Sequence, residues 1–443
     1  MDFIEQKILQ IIDAHRDALQ AMADDLFHHA EQGYHEYRTA SIVSDYLKKL
    51  GLSVQEGLAA TGVRADIGNG QGPRIALIGE LDGLACPDHP AATADGFAHA
   101  CGHYAQIVCM LGAALALSDP EVAAHLDGTA AIFAVPAEEY LDASVREEVR
   151  RSHGILSSGG KCELLRRGLM DDIDLAVTTH SHMAGRGSTD ADLMLGCSAC
   201  TGFIGKTIYM HGRAAHAAAA PHLGANALNA ACLGMSALGM IRETFEEKDC
   251  VRVHPYIRKG GDAINIVPSE VVVDMMVRAR TQEAIEKVSE KVDNCFRGAA
   301  MAIGCEAEIV NSQGYMPCPE RLPEAVLQEA AALLGPDVRV CSIPAGVCNT
   351  ASTDVGDLFA VMPVLNFTFG GSCGALHSRD YAVTDPETAH ILPAKLMALL
   401  AYRLLKDGAA RARDITASYA APFTKEGYRK YIQETFPAPE DAR

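Results

Sequence analysis

Residues 74–81 read RIALIGEL, residues 129–136 read TAAIFAVP and residues 174–180 read DLAVTTH. Each is an almost continuous apolar run of strand length, and helical patterns such as 104–117 lie between them. Apolar strands that alternate with helices are typical of a parallel sheet covered by helices on both faces. We therefore predict an α/β domain with a mostly parallel sheet. Further helices are predicted at 4–30, 38–50 and 387–405, and a further strand at 361–369.

The middle of the chain has a different order of elements. A strand and a long helix are followed by two strands, another helix and a last strand, which is the order of a ferredoxin-like α+β unit. We therefore predict that such a domain is inserted into the larger α/β domain. These elements are predicted at 202–212, 223–245, 251–260, 270–281, 282–303 and 304–311. The predicted domain boundaries are 1–198, 199–312 and 313–443, with an irregular C-terminal tail beyond 415.

Composition argues against several classes of partner. The chain has 443 residues, of which 49% are hydrophobic, and a net charge of −19 without a Lys/Arg-rich block. An acidic surface repels nucleic acid and anionic lipid. No run reaches the roughly 18 apolar residues that cross a bilayer, and the opening stretch resembles an acidic amphipathic helix rather than a signal peptide. Because the 14 Cys are best explained as reduced thiols, we expect a cytoplasmic protein with a small-molecule substrate.

Polar side chains collect where the predicted strands end. In an open parallel sheet these ends meet at one edge, so we expect the side chains to converge there. Thiolate, imidazole and carboxylate together suit Zn²⁺, Mn²⁺, Co²⁺ or Ni²⁺. We expect only one of the near neighbours His180 and His182 to bind a given ion, and the choice between them stays open here. The strand-end residues are Glu80, Asp82, His99, Cys101, His103, Glu138, Glu139, His180, His182 and His377.

The adjacent carboxylates of Glu138 and Glu139 suggest a division of roles. Two neighbouring negative charges after an apolar strand repel each other unless a cation neutralises one of them. One carboxylate would then bind the metal, and the other would act as general base towards a water that the metal activates. The alternative interpretation is a solvated surface turn, just as the HACGH segment (99–103) taken alone could be a tight glycine turn at a helix start.

Ten short motifs, in family order over roughly residues 20–405, resemble the M20 family of metallopeptidases and aminoacylases. The resemblance is to the branch of N-acyl-amino-acid amidohydrolases and aminobenzoyl-glutamate hydrolases. It implies a zinc-exopeptidase-like catalytic domain and an inserted lid and dimerisation domain, hence a homodimer or a higher homo-oligomer. The motifs are EQGYHEYRTA (31–40), GELDGL (79–84), AHACGH (98–103), PAEE (136–139), TTHSH (178–182), HGRAAHAAAAPHLGANAL (211–228), NIVPS (265–269), MVRART (276–281), STDVGD (352–357) and ALHS (375–378).

The resemblance also implies roles for residues of the large domain. One or two divalent ions, Mn²⁺ or Zn²⁺ first and Co²⁺ or Ni²⁺ as further options, would be bound with a cysteine between them. Glu138 would be the general base, and Glu80 an orienting carboxylate where many relatives have Asp. The implied metal ligands are Cys101, His103, Glu139, His180 and His377.

In the inserted domain, the resemblance implies that His216 reaches the partner's active site and stabilises the oxyanion. Asn265 and Arg278 fall where relatives bind the substrate's carboxylate or backbone. Each could otherwise be a solvated surface group. One departure is Tyr104, which stands where relatives usually have Asp or Asn, so metal affinity or the shape of the substrate pocket is expected to differ.

These residues predict a metal-dependent hydrolase, and the resemblance implies that it cleaves a C–N amide bond of a small N-acyl or N-aroyl amino acid or dipeptide. A second hypothesis keeps the metal but has the activated water displace an amine from an aromatic ring, as a deaminase would. Tyr104 is the reason to keep that hypothesis. A third is a catalytically silent binding protein on the same fold, against which the complete ligand set and the intact Glu138-Glu139 pair argue.

Overall fold

The computed structural model of the protein describes residues 1–182 and 191–437. Two compact units can be distinguished. The first unit comprises Met1–Ser198, Glu320–Ala345 and Asp357–Tyr431. The second unit comprises Ala199–Pro319, Gly346–Gly356 and the residues from Ile432 onward. The chain thus enters the second unit again at 346–356, a short return that falls inside the predicted segment 313–443.

Strands and helices alternate through much of the first unit, as the apolar runs predict, and the elements of both units are numbered here in chain order. The strands are β1 (Val54–Leu58), β2 (Gly62–Gly68), β3 (Arg74–Glu80), β4 (Leu84–Ala85), β5 (Phe97–Ala98), β6 (Thr129–Val135), β7 (Leu175–Ser181), β8 (Leu193–Leu195), β9 (Ala199–Cys200), β10 (Gly202–His211), β11 (Arg252–Lys259), β12 (Glu270–Ala279), β13 (Glu306–Ser312), β14 (Val340–Ser342), β15 (Cys348–Asn349), β16 (Val364–Phe369), β17 (Ser372–Cys373) and β18 (Ala382–Val383). The helices are α1 (Phe3–Ala14), α2 (Arg16–Phe27), α3 (Tyr37–Lys49), α4 (His103–Leu117), α5 (Pro120–Ala123), α6 (Ala143–His153), α7 (Gly160–Arg166), α8 (Ala227–Met240), α9 (Gln282–Ile303), α10 (Ala325–Ala332), α11 (Val355–Phe359), α12 (Leu392–Leu405), α13 (Ala410–Ser418) and α14 (Lys425–Thr435).

The first unit is built on an eight-stranded sheet with the order β1-β2-β6-β3-β7-β16-β8-β14. Its four central strands, β6, β3, β7 and β16, are mutually parallel, while β1, β2 and β8 join antiparallel neighbours. The predicted mostly parallel sheet is therefore confirmed. Helices α4 and α12 are buried almost all round in the same hydrophobic core, which is why their sequences lack a polar face.

The parallel centre of this sheet decides where functional groups meet. Because β3, β6, β7 and β16 run in the same direction, their carboxyl ends lie at one edge of the sheet. Each of these ends is followed by polar residues that the sequence singled out as candidates. The core positions the site by bringing these four strand ends together.

The second unit has the predicted ferredoxin-like order of elements. Its antiparallel sheet has the order β11-β12-β10-β13, and α8 and α9 share its hydrophobic core. The two helices approach closely at Gly234, where a Cβ would lie 2.6 Å from the Phe296 ring. Helix α9 begins at the Thr281 cap and ends at Gly304, whose φ of 75° is accessible to glycine at little cost.

Three sequence predictions differ from the structure. The helix predicted over 4–30 is two helices, α1 and α2, separated by His15. The helix predicted from 223 begins only at Ala227, because the Asn226 side chain caps it there. The tail beyond 415 was predicted to be irregular, but it contains the end of α13 and the whole of α14, and Tyr428 of α14 is buried with its hydroxyl donated to Asp357. Among the described residues, no helix combines the length and the apolarity needed to cross a membrane.

Candidate metal centre

Cys101 lies at the centre of the predicted ligand set. Its Sγ is 3.4 Å from Nε2 of His180 and 3.3 Å from Nε2 of His377. Oε1 of Glu139 lies 3.2 Å from the same His377 nitrogen. Two overlapping groups, Cys101–His103–His180 and Cys101–Glu139–His377, each have donor atoms within 4.8 Å of one another. The five predicted ligands are therefore brought together, with the thiol shared between the two groups.

A third group contains the general-base candidate. Nε2 of His103 lies 3.2 Å from Oε2 of Glu80 and 3.9 Å from Oε2 of Glu138. These three residues also have donor atoms within 4.8 Å of one another. Glu138 is thus beside the ligand cluster, and Glu80 lies within ion-pair distance of the His103 imidazole.

Hydrogen bonds orient two of the imidazole rings. Nδ1 of His103 lies 3.0 Å from both the backbone carbonyl and Oδ1 of Asp82, so it donates there and Nε2 is the nitrogen that faces the cluster. Nδ1 of His180 similarly lies 2.8 Å from the carbonyl oxygen of Ser181. In both rings Nδ1 is therefore engaged away from the cluster, and Nε2 is the nitrogen directed to it, as in metal-binding histidines.

The backbone is strained at the turns that carry these ligands. Gly102 has a φ of 88°, and a Cβ there would lie 2.8 Å from the Tyr381 hydroxyl, so only glycine fits between Cys101 and His103. Ala137 and His377 have φ values of 44° and 59°, which non-glycine residues rarely adopt. Strain of this kind is commonly retained where side chains must be placed for function.

Charge in the cluster is balanced by a buried lysine. Lys161 is 0% exposed and its Nζ lies 2.6 Å from Oε1 of Glu80, whose Oε2 accepts from Gln106 at 2.7 Å. Burial alone raises the pKa of Glu80, but Lys161 and then His103 outweigh it and lower the pKa to about 2. Burial also raises the pKa of Cys101, yet the neighbouring imidazoles lower it to about 6. A thiolate and a carboxylate are the protonation states that bind a cation.

The side chains present fit a divalent cation. Nε2 of His103 and Oε1 of Glu139 are buried and accept or donate no hydrogen bond, although other donor atoms lie close by. Buried polar atoms without partners are costly unless something else satisfies them. A mixed set of thiolate, imidazole and carboxylate is the chemistry that Zn²⁺ and similar first-row ions prefer.

The contacts of His180 and His182 show which of the two rings faces the ligand cluster. Nδ1 of His182 lies 2.9 Å from Oγ1 of Thr368, and its Nε2 lies 3.0 Å from the carbonyl of Ala191. Both nitrogens of that ring are thus occupied away from the cluster. Strand β7 ends at Ser181, so His182 lies beyond it, and His180 is the residue that contacts Cys101.

Tyr104 does not line an open pocket, contrary to the expectation that it shapes the substrate site. It is 1% exposed, and its hydroxyl lies 3.2 Å from Nε2 of His390. The residue follows His103 on α4, whose side chains at this point are buried on all sides. Tyr104, the residue at which this sequence departs from its relatives, is therefore buried in the core next to the ligand His103 and is not exposed in a pocket. This removes the reason for keeping the deaminase hypothesis.

The remaining predicted residues belong to the second unit. The backbone carbonyl oxygen of Asn265 accepts the backbone N–H of Ala217 at 3.0 Å, so Asn265 lies beside the exposed His216. Arg278 donates to Oγ of Ser352 at 2.7 Å, and its guanidinium lies 5.0 Å from the centre of the Phe203 ring. His216 and Asn265 are thus neighbours, whereas Arg278 is held elsewhere in the unit by the STDVGD segment.

Sequence reasoning assigned no role to Lys161 or Glu36, and it placed Asp82 only among the polar side chains expected to converge at the sheet edge. Asp82 was recognisable as a second carboxylate in GELDGL, two residues after Glu80. Glu36 is buried, accepts from Thr61 at 2.5 Å and from the backbone N–H of Ala137 at 2.7 Å. Glu36 lies in the motif EQGYHEYRTA (31–40), but the motif alone assigned it no role, and nothing in the local sequence marks Lys161. The partners of both residues are far away along the chain.

Comparison with known proteins agrees with this geometry. A family model described as a peptidase dimerisation domain matches residues 199–302. The chain is 26% identical to the Xaa-Arg dipeptidase of Mus musculus over 97% of its own length and 92% of that protein. It is 28% identical to one of the p-aminobenzoyl-glutamate hydrolase subunits of Escherichia coli strain K12, over 74% of its own length. That second match spans 64% of the relative, which is less than two thirds of its length.

The fold has a close counterpart among solved structures. The crystal structure of a Bacillus subtilis protein described as a dinuclear metal-binding peptidase of the M20 family superposes with a TM-score of 0.62. The match covers 89% of this chain and 99% of that chain, at 21% sequence identity. Residues 199–302 thus match the dimerisation domain of M20 peptidases, and the chain as a whole is similar in sequence to a dipeptidase and in fold to an M20 peptidase.

Proposed function

We propose that the protein hydrolyses the amide C–N bond of a small N-acyl or N-aroyl amino acid or a dipeptide. The observation that carries this proposal is the pair of ligand groups that share Cys101, with Glu138 beside them. Relatives named as a dipeptidase and as an aminobenzoyl-glutamate hydrolase support the choice of bond. Both names describe cleavage next to an amino acid.

Cys101, His103, Glu139, His180 and His377 would hold one or two divalent ions, Mn²⁺ or Zn²⁺ in the first place. Such ions, when bound, polarise the scissile carbonyl and lower the pKa of a water molecule towards neutrality. The shared thiol of Cys101 favours two ions over one, because it lies in both ligand groups.

Glu138 is proposed as the general base. Its carboxylate lies 3.9 Å from the ligand nitrogen of His103 and is mostly buried, so a proton taken there is shielded from solvent. It would accept a proton from the attacking water and then deliver it to the leaving amine. Glu139, the adjacent carboxylate, faces His377 instead, which agrees with separate roles for the pair.

His216 is proposed as the oxyanion donor of a neighbouring subunit in a homodimer. Its Nδ1 accepts the backbone N–H groups of Ala218 and Ala219 at 3.2 and 3.0 Å. The neutral ring must therefore carry its proton on Nε2, which is the state that can donate to an oxyanion. The matched dimerisation domain supports assembly through the second unit. Asn265, next to His216, and Arg278 are proposed to bind the substrate's backbone or carboxylate.

We also propose a cytoplasmic location. All 14 cysteines are free, which suits a reducing compartment. The surface has a net charge of −19, which does not favour nucleic acid or anionic lipid as partners.

A hydrolysis panel tests the proposed reaction. Protein reconstituted separately with Mn²⁺ and Zn²⁺ would be offered N-acyl amino acids, aryl-glutamates, β-alanyl dipeptides and anthranilate-like arylamines. We expect release of a free amino acid from at least one amide substrate, and no ammonia from the arylamines. Ammonia release alone would replace amide hydrolysis with deamination. A loaded protein inactive on every substrate class would instead support the binding-protein hypothesis.

A further inference from the structure

We propose that Glu36 is a positioning residue for the general base. Its buried carboxyl group holds the backbone of Ala137, the residue directly before Glu138, in the conformation that places the Glu138 side chain beside the ligand cluster. This inference rests on the proposed function, because it assumes that Glu138 takes the proton. It adds to that function a carboxyl group that acts through the backbone of the turn.

Glu36 is an acidic residue in the core of the first unit. It is 0% exposed, and within residues 1–182 and 191–437 no basic side chain forms an ion pair with it. It stands at the N-cap position of α3, yet its side chain makes no capping hydrogen bond there. A buried carboxyl group costs free energy unless hydrogen bonds satisfy it. Neither charge pairing nor helix capping therefore explains its position.

Both carboxyl oxygens of Glu36 form hydrogen bonds with other segments. Oε1 accepts the backbone N–H of Ala137 at 2.7 Å, and Oε2 lies 2.5 Å from the hydroxyl oxygen of Thr61. Thr61 is buried and directly precedes β2, while Ala137 lies in the turn that follows β6. The side chain therefore joins the start of one strand to the turn after its neighbour in the sheet.

Ala137 has a strained backbone that its neighbours hold in place. Its φ of 44° is one that residues with a side chain rarely adopt. Its carbonyl oxygen accepts the N–H of Gly160 at 2.8 Å, and a Cβ on Gly33 would lie 2.9 Å from its own Cβ. Strained conformations persist where the surrounding structure fixes them in several ways. Of these contacts, the hydrogen bond to Glu36 is one that a side-chain substitution can remove.

The backbone is held on both sides of Glu138. The N–H of Ala137 is accepted by Glu36, and the N–H of Glu139 is accepted by Oδ2 of Asp82 at 2.9 Å. Both acceptors are fully buried carboxyl groups. Because the Cα of Glu138 lies between the two held residues, the direction of its side chain depends on both anchors. Loss of Glu36 would free the base on one side, while the ligand Glu139 keeps its own anchor.

The loop that contains Glu36 also contacts the GELDGL turn. The carbonyl oxygen of Glu31 accepts the N–H of Gly83 at 2.8 Å, and Gln32 pairs with the same glycine in a parallel bridge. At the other end of the loop, Glu36 contacts Ala137. One short loop thus links the two turns that meet at the ligand cluster, and Glu36 is the side chain through which it reaches the turn of the base.

Two substitutions separate hydrogen bonding from charge. Glu36→Gln keeps a carbonyl oxygen for the N–H of Ala137 and has an NH₂ group that can donate to the Thr61 hydroxyl. Glu36→Leu has a similar size but removes both hydrogen bonds. It leaves the Ala137 N–H buried without its acceptor, which favours relaxation of the strained backbone. We therefore expect Glu36→Leu to misplace Glu138 and Glu36→Gln to keep it in place.

Backbone hydrogen exchange is the first test, and it requires neither substrate nor metal. In Glu36→Leu the amide of Ala137 should exchange about tenfold faster relative to amides of β7, whereas Glu36→Gln should resemble the wild type. Glu5→Leu is the matched control. It removes another buried carboxylate, which accepts the backbone N–H of Asp2 at 2.7 Å, and it should leave the exchange of Ala137 unchanged relative to β7.

Steady-state kinetics is the second test. It uses the Mn²⁺-loaded enzyme with the N-acyl amino acids and aryl-glutamates of the hydrolysis panel. In Glu36→Leu we expect kcat to fall by about 10–100-fold, because a small displacement of a catalytic group has effects of that size. KM should stay close to that of the wild type, and Glu36→Gln and Glu5→Leu should keep kcat near the wild-type value.

Normal exchange of Ala137 or a normal kcat in Glu36→Leu would overturn the inference. Equal losses in Glu36→Gln and Glu36→Leu would also overturn it, since charge rather than hydrogen bonding would then be responsible. Thr61→Val is a milder variant that serves if Glu36→Leu does not fold. It releases one oxygen of Glu36 and should change both readouts in the same direction by a smaller factor, and wild-type values in it would contradict the inference.

Failure of the proposed function is recognised separately. The wild-type protein would then hydrolyse no amide of the panel, whatever the exchange of Ala137. If only the inference about Glu36 is wrong, the wild type hydrolyses an amide and Glu36→Leu does so equally well.

Discussion

Oδ1 of Asp82 lies 3.0 Å from Nδ1 of His103, and both side chains are fully buried. The other carboxylate oxygen of Asp82 accepts the backbone N–H of Glu139 at 2.9 Å. One carboxylate therefore orients an imidazole ligand and holds the backbone of a carboxylate ligand. Two segments that are far apart along the chain depend on this single side chain for their relative placement.

Asp82→Asn should weaken metal binding by about 10–100-fold, because an amide is a poorer acceptor for His103 and offers only one oxygen to two donors. Competition with a chelator of known affinity would measure the change. Asp274→Asn is a suitable control, since that carboxylate accepts from Thr207 and Arg258 in the second unit. An unchanged metal affinity in Asp82→Asn would show that His103 is oriented by other contacts.

Glu138→Gln should reduce turnover by about 10²–10⁴-fold, because the amide cannot accept a proton from the attacking water. Metal content and the thermal midpoint should stay close to those of the wild type, since Glu138 is not among the proposed ligands. Steady-state kinetics together with metal analysis would check both statements. Turnover near the wild-type value would remove Glu138 from the role of general base.

Lys161→Met should destabilise the protein by about 3–5 kcal/mol, because it leaves the Glu80 carboxylate buried without its cationic partner. The measurement is the free energy of unfolding in urea. In the double variant Lys161→Met/Glu80→Gln, most of that loss should be recovered, since no buried charge remains unpaired. If the double variant is as unstable as the single one, the loss comes from packing around Lys161 rather than from charge.

Glu36 should make stability depend on pH in the neutral range. Burial, and then the nearby Asp82 charge, raise its pKa from 4.5 to about 8. Because the folded pKa is the higher one, the stabilising contribution of the protonated group is complete below pH 4.5. It is lost as pH rises through 8.

Glu36→Gln keeps a neutral side chain at every pH. The difference in free energy of unfolding between variant and wild type should therefore shift in favour of the variant from pH 5 to pH 8. Urea unfolding of both proteins at several pH values measures that difference, in which pH effects from other groups cancel. A difference that is constant with pH would mean that Glu36 is ionised in the folded protein across this range.

Mixing two inactive variants tests the proposed role of His216 in a partner subunit. Glu138→Gln lacks the base, and His216→Gln lacks the oxyanion donor. If His216 acts across a dimer, a mixed dimer regains one complete site, and random exchange of subunits should restore about a quarter of the wild-type rate. If His216 acts within its own subunit, every site in the mixture stays defective, and no rate is regained.

Much of the first unit could be predicted from sequence, because its buried strands are marked by the hydrophobic pattern of short stretches of the chain. The apolar runs that became β3, β6 and β7 predict buried strands by composition alone, and Glu80, Glu138 and His180 lie at or within three residues of their ends. The rule that parallel strand ends meet at one edge then brings the candidate ligands together without any coordinates. The predictions of one helix over 4–30 and of an irregular tail beyond 415 were wrong. The end of a helix and the packing of a terminal segment depend on contacts with residues that are distant in sequence.

The sequence by itself determined which side chains could bind a cation and in what order the strands deliver them, since hydrophobic pattern and residue chemistry are local properties. Tertiary structure alone decided that His180 rather than His182 faces Cys101, that Asp82 orients His103, and that Tyr104 lies behind the ligands. Each of these depends on a partner far away along the chain. The physical reason is that ring orientation and burial are set by which distant atoms occupy the surrounding space, and a linear pattern does not contain those atoms.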